Sequence, residues 1–274
     1  MAIDNIIDNI NEFKDALESG LLLKFTAVEK KLFDDLLKAL KNANFLSGKI
    51  ANDELIKKIL KQLPLIIQES LVKSKYTTMA TDYVLNFDKI NKFVAETQKD
   101  LNNINVPMAS IKGTQKAEIN MTLERMTGAG VDANFVLPLK ESLYRHVVAG
   151  GNISGAEEIL STYILSNKDE LSKLQRYVSQ VARDGINQYE GAIQNKIAQD
   201  YELDKIAYVG SLVRDSRPQC RKWVKMGTID ANKLKKEINW ANNYGQGMIP
   251  GTTPENFMIF RGGYNCRHNA IPTL

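Results

Sequence analysis

Residues 168–200 read KDELSKLQRYVSQVARDGINQYEGAIQNKIAQD, and this stretch decides the fold class. Its apolar residues recur at three- and four-residue spacing along one side, despite Gly185 and Gly191. That period is typical of an amphipathic α-helix rather than a strand. The stripe consists of Leu171, Leu174, Val178, Val181, Ile186, Tyr189, Ile193 and Ile197. We therefore expect one long helix here and a mainly α protein.

The same helical period runs through the chain before this stretch, from about Ile3 onward. Three long runs stand out: one around Leu21–Leu40, one from a possible N-cap at Asn52 to about Lys75 with a kink expected at Pro64, and one from about Ala80 to Leu101. Charges in the first run, Glu29 among them, are expected to face away from its apolar stripe. Such stripes either form the core of a bundle or serve oligomerisation and docking on other chains.

Turn-forming residues between Asn102 and Gly113 predict a joint, after which shorter helices follow. We expect these at Thr114–Thr127, Phe135–Val148 and Ser154–Leu165, the last opened by a capping box of Ser154 and Glu157.

The period changes after Asp200. The short, β-branched and aromatic run Lys205–Val213 predicts a strand, Leu234–Ala241 a short helix, and Phe257–Phe260 a second strand. The expected fold class is mainly α, a helical N-terminal region with a small α+β C-terminal module. The expected regions are 1–104, 105–200 and 201–274.

Length and composition agree with a protein that folds without disulfide staples. The chain has 274 residues, two cysteines and a formal charge of +4. Asp4 and Asp8 do not suit a secretory signal, and no run approaches the length of a membrane span, so we expect synthesis in the cytosol and no membrane partner. In a reducing compartment, Cys220 and Cys266 are expected to be thiols or metal ligands.

Both cysteines lie in two distant polar segments, Asp215–Cys220 and Gly262–His268. Cys266 and His268 are two apart, so an extended backbone would point both to one face, and a turn at Gly262–Gly263 would bring them against Cys220. Three such ligands suit zinc, with Asp215 as a fourth. Two other interpretations stay open: buried thiols and a hydrogen-bonded histidine that lock the module, or a nucleophilic pair of Cys220 and His268 in a thiol or zinc hydrolase.

The strings YVGSLVRDSRPQC (208–220) and FRGGYNCRH (260–268), preceded by QVARDGINQYEG (180–191), resemble the C-terminal motif of the phage Mu F-like head morphogenesis family. Motif positions are Asp215, Arg217, Pro218, Cys220, Gly262, Gly263, Asn265, Cys266, Arg267 and His268. The resemblance implies a structural minor head protein of a tailed bacteriophage. Such a protein is present in few copies in the virion at the portal vertex, and its partners are portal and capsid proteins.

A basic cluster offers an alternative within the virion. Arg214, Arg217, Arg221, Lys222 and Lys225 bracket Trp223, a pattern that could track phosphates and stack a base. A protein with this surface would be packaged or ejected with DNA.

Overall fold

The computed structural model describes residues 2–42 and 53–274, and it is mainly helical. Its helices are α1 (Ala2–Leu23), α2 (Phe25–Lys41), α3 (Asp53–Lys73), α4 (Tyr76–Leu85), α5 (Ile90–Asn102), α6 (Met108–Thr127), α7 (Ala129–Val131), α8 (Leu137–Val148), α9 (Ile153–Ile164), α10 (Lys173–Asp200), α11 (Pro218–Met226), α12 (Ala231–Tyr244) and α13 (Phe257–Phe260). Its strands are β1 (Lys205–Val209), β2 (Thr228–Asp230) and β3 (Asn269–Thr273). The predicted class, mainly α with a small α+β module near the C-terminus, is confirmed.

The described residues form two compact units, and each unit is assembled from separated segments. One unit comprises Met1–Leu17, Val84–Thr122 and Ala182–Leu274, and we call it the terminal unit. The other, the bundle unit, comprises Glu18–Tyr83 and Leu123–Val181. Each unit contains residues from more than one of the predicted regions 1–104, 105–200 and 201–274. Those regions are consecutive in sequence, whereas the units are not.

The bundle unit buries the apolar stripes of α2 and α3 in its own core. In α2 the buried residues include Phe25, Leu32 and Leu36, and α2 packs against both α3 and α9. The stripe of α3 is buried at Leu63 and Ile67, on a helix that continues through Pro64. These stripes are therefore bundle core rather than free docking faces.

Glu29 departs from the expectation that the charges of α2 face solvent. It is buried, and its carboxylate accepts hydrogen bonds from the hydroxyls of Ser166 (2.7 Å) and Ser172 (2.8 Å). Both serines lie in the turn that leads into α10. Because these hydroxyls, from a segment distant in sequence, satisfy its carboxylate, Glu29 can be buried beside the apolar stripe of α2.

The terminal unit is built around the second half of α10. From Asp184 to Gln194 every residue of this helix is buried, including Asn187 and Glu190. A helix that is buried on all sides forms the centre of its unit rather than one of its faces. The sequence predicted the helix and its apolar stripe, but not the burial of its polar side.

A small antiparallel sheet closes the C-terminal end of the terminal unit, in the order β2-β1-β3. Lys205 of the central strand pairs with Asp230 on one side and with Thr273 on the other. The edge strand β3 contains Pro272, which is compatible with an edge because that position can face away from the ladder. Strand β1 is shorter than predicted, since Gly210, with φ of +140°, follows its end.

Two local predictions are wrong, each because polar capping residues outweigh a weak pattern. Phe257–Phe260 is a helical turn and not a strand, since Thr253 and Asn256 form a capping box directly before it. Helix α9 begins at Ile153, and its N-cap is Asn152 rather than Ser154, since the Asn152 side chain accepts a hydrogen bond from the Gly155 amide at 2.9 Å.

The joint predicted at 102–113 is shorter than expected. It spans only residues 103–107, because α6 begins at Met108 and carries Gly113 within it. The expected N-cap at Asn52 lies outside the described residues. Within the described ranges, no helix combines the length and apolar character required to cross a membrane.

Two glycines inside helices of the terminal unit give opposite predictions for the same substitution. A Cβ on Gly191 would lie 2.1 Å from the Met258 carbonyl oxygen, whereas a Cβ on Gly113 would meet nothing within 4 Å. Gly191→Ala should therefore lower the free energy of unfolding by about 1–3 kcal/mol through a backbone clash. Gly113→Ala should raise it by about 0.5–1 kcal/mol through helix propensity. Urea denaturation of both variants measures this, and a stabilised Gly191→Ala would show that α10 and α13 do not approach so closely.

Candidate metal centre

Two separated elements bring both cysteines and one histidine together. Cys220 lies in the first turn of α11, and Cys266 and His268 lie in the loop that leads into β3. The two Sγ atoms are 3.9 Å apart, and Cys266 Sγ is 3.7 Å from His268 Nδ1. All three ligand atoms lie within 4.8 Å of one another. The predicted approach of Gly262–His268 to Cys220 is thus present, and we call these three residues the Cys/His cluster.

The cluster is closed to solvent. Cys220, Cys266 and His268 expose 2%, 5% and 4% of their surface, and His268 Nε2 has no hydrogen-bond partner among the described residues. The hydrogen bond from Cys220 and the neighbouring His268 hold the pKa of the Cys266 thiol well below its usual range, despite burial. That same hydrogen bond and burial raise the pKa of Cys220. The two sulfurs therefore behave as one donor and one acceptor.

Tyr208 of β1 forms one wall of the cluster. Its hydroxyl lies 3.5 Å from Cys220 Sγ and 3.3 Å from Cys266 Sγ, and its ring stacks on His268 with centroids 5.6 Å apart. Gly262 lies against the same atoms, since a Cβ there would be 2.4 Å from Cys220 Sγ and 2.8 Å from the Tyr208 hydroxyl. Any side chain at position 262 would therefore intrude on the sulfurs.

The loop that carries Cys266 and His268 is held from the α11 side by Arg217 and Gln219. Arg217 donates to the carbonyl of Gly262 (3.0 Å) and to that of Tyr264. Gln219, which is fully buried, donates to the Gly262 carbonyl as well, at 3.0 Å. The motif residue Arg217 thus joins its own segment to the second motif segment.

From the other side, the loop is held by a buried ionic network around Glu190 of α10. The Glu190 carboxylate contacts Lys14 Nζ from α1 and accepts from Arg261 Nη2 at 2.9 Å, and all three residues are buried. Arg261 also donates to the carbonyl of His268 at 3.0 Å. The network therefore fixes the backbone on which the Cys/His cluster is mounted.

The two charges beside Glu190 decide its protonation. Burial raises its pKa, but the charges of Arg261 and Lys14 outweigh burial and lower the pKa of Glu190 to about 2. For Lys14, burial dominates and lowers the pKa to about 8, although Glu190 opposes this. The carboxylate is therefore ionised and paired throughout the neutral range.

Amide and carboxylate side chains complete the support of the loop. Asn187 accepts from Lys14 Nζ (2.9 Å) and donates to the Cys266 carbonyl (2.9 Å), while Asp184 accepts from the Asn265 amide (2.6 Å). Asn265 has φ of +54°, and that amide contact fixes this turn. The roles of Asp184, Asn187, Lys14, Glu190 and Arg261 were not predicted from the sequence. The available signal was the three-residue spacing of Asp184, Asn187 and Glu190 along α10.

Other predicted site residues lie apart from the cluster. Asp215, expected as a fourth metal ligand, is exposed, and the structure does not bring it into the Cys/His cluster. Pro218 occupies the first turn of α11, where a missing N–H costs nothing. Gly263, with φ of +100°, makes the predicted turn, and Arg267 is exposed.

The predicted nucleic-acid surface loses its aromatic member. Trp223 is fully buried and donates its indole N–H to Glu237 at 3.0 Å, so it presents no face to a base. Lys222 pairs with the same carboxylate at 2.7 Å. Arg221 donates to carbonyls of the loop before α11, including that of Ser216 at 2.8 Å. Arg214 is exposed.

Comparison with models of protein families, with curated proteins and with solved structures found no match for this chain.

The ionic network predicts an acid-sensitive fold. The pKa of Glu190 is about 2, below its ordinary 4.5, so its contribution to stability is complete above pH 4.5 and is lost as the pH falls towards 2. Glu190→Gln should lower the free energy of unfolding at pH 7 by about 3–5 kcal/mol, since it leaves Lys14 and Arg261 without a counter-charge. It should also make the decline between pH 4.5 and 2 shallower.

Urea denaturation across this pH range measures both effects. Glu96→Gln is the matched control, because Glu96 makes an exposed ion pair with Lys92 in the same unit, and it should change stability by less than about 0.5 kcal/mol. Equal effects of the two substitutions would show that Glu190 is not a buried ion-pair partner.

Proposed function

We propose that this protein is a structural minor head protein of a tailed bacteriophage, acting in capsid assembly at the portal vertex. The observation that carries the proposal is the junction of the two motif segments. Residues 208–220 and 260–268, which carry the resemblance to the Mu F-like head morphogenesis family, meet in one buried cluster, and Arg217 of the first segment binds carbonyls of the second. Motif residues that hold one another in place suit a rigid assembly module.

Burial of the cluster favours a structural role over the thiol hydrolase interpretation. A catalytic nucleophile must reach its substrate, and a base must reach the nucleophile. Cys220 and His268 are both buried, so neither side chain is in reach of a substrate that stays at the surface. These properties support the proposal of a locking element.

The DNA-associated alternative has less support. Trp223 is buried and Lys222 is paired with Glu237, so the residues that suggested base stacking and phosphate binding are engaged within the module. Under the leading proposal the partners are portal and capsid proteins, with a homo-oligomer as a further possibility, and the protein resides in the virion.

The test is mass spectrometry of purified procapsids and virions of the phage or prophage that encodes the chain, with pull-down of its portal protein. The proposal expects the chain at low copy beside the portal protein in one or both particles, and in a complex that survives high salt. Absence from both particles would overturn it. An affinity for DNA that falls steeply with salt, without portal binding, would favour the DNA-associated alternative.

Arg217→Ala tests whether the junction matters for incorporation. Loss of its two carbonyl contacts should weaken the attachment of α11 to the loop that carries Cys266 and reduce incorporation into particles several-fold. Arg214→Ala removes the same charge three positions away from an exposed residue and should leave incorporation unchanged. Equal incorporation of the two variants would show that the contacts of Arg217 across the motif junction are not required for assembly.

A further inference from the structure

We infer that Cys220, Cys266 and His268 bind one structural zinc ion. The first support is the spacing of the ligand atoms. A tetrahedral ion with bonds of about 2.3 Å to sulfur and 2.0–2.1 Å to nitrogen places its sulfurs about 3.8 Å apart and its sulfur and nitrogen about 3.6 Å apart. The chain holds Cys220 Sγ and Cys266 Sγ at 3.9 Å, and Cys266 Sγ and His268 Nδ1 at 3.7 Å.

The second support is the lack of other strong partners for these groups. The sulfurs contact each other, His268 and the Tyr208 hydroxyl at distances of 3.3–3.9 Å, which are weak sulfur hydrogen bonds. Buried polar groups are normally satisfied, and a metal ion would satisfy the two sulfurs and Nδ1 at once.

Charge balance selects a divalent ion. Two thiolates and a neutral imidazole around Zn²⁺ sum to zero, which is the charge that a buried site accepts at least cost. The Tyr208 phenol then stays neutral and donates a hydrogen bond to a thiolate from outside the coordination sphere. Gly262 keeps the space beside the sulfurs free of a side chain.

Such an ion would link α11 to the loop before β3 directly, where otherwise Arg217 and Gln219 make the connection. The site is closed to solvent, which is typical of a structural zinc ion rather than a catalytic one. This inference does not depend on the assembly role, since a zinc ion would lock the module in any protein.

The first measurement is zinc content. The full chain, expressed with zinc, purified without a polyhistidine tag and kept reduced, should carry one zinc per chain by elemental analysis and native mass spectrometry. Replacement by Co²⁺ should produce tetrahedral d–d bands and a thiolate charge-transfer band. Neither result depends on the folding of a variant. A metal-free protein with two titratable thiols, or with a Cys220–Cys266 disulfide, would overturn the inference.

Substitutions locate the ion. Cys266→Ser and His268→Ala should lose the bound zinc, and Gly262→Ala should weaken binding at least tenfold while every ligand is kept, because the new methyl meets Cys220 Sγ. His146→Ala is the matched control: it removes the other histidine, which is part-exposed and bonded to the Asn152 carbonyl, and should retain one zinc. Chelation should lower the Tm of the wild type and of His146→Ala but not that of Cys266→Ser. Zinc retained by Cys266→Ser and His268→Ala would place the ion elsewhere and overturn the assignment.

Discussion

The terminal unit depends on two cations that neutralise the charge of one buried carboxylate, that of Glu190. Glu190 lies at the centre of α10, where an ionised group without partners would cost several kcal/mol. Lys14 reaches it from the start of the chain and Arg261 from near its end. Because neither cation has another counter-charge in the network, the three segments must meet in one register. A requirement of charge, rather than apolar contact alone, thus specifies how the chain ends converge on α10.

The ionic network around Glu190 also positions the loop that carries Cys266 and His268. Arg261 directly precedes Gly262, and its guanidinium also donates to the His268 carbonyl. The two ends of the loop are therefore fixed by the same side chain, which is itself paired with Glu190. Asn187, one turn before Glu190, holds the Cys266 carbonyl in the same way. The backbone of Cys266 and His268 is therefore held by α10 and Arg261, and their side chains lie against Cys220.

Sequence patterns predicted what local chemistry determines and missed what depends on distant partners. Apolar spacing predicted α10 and the buried stripe of α2, and the motif segments predicted the approach of Cys266 and His268 to Cys220. The pairing of Lys14 with Glu190, 176 positions away, follows no local rule. Phe257–Phe260 was misassigned because four apolar residues fit a strand as well as a helical turn, and the capping residues before them decide.

Burial also changes what the motif residues mean. Seen as a sequence, Cys220, His268 and Trp223 suggest nucleophile, base and stacking surface. In the fold all three are enclosed, and Trp223 packs against Tyr208 with ring centroids 5.3 Å apart. All three side chains therefore make their contacts inside the module, whereas Arg214 and Arg267 remain exposed on its surface.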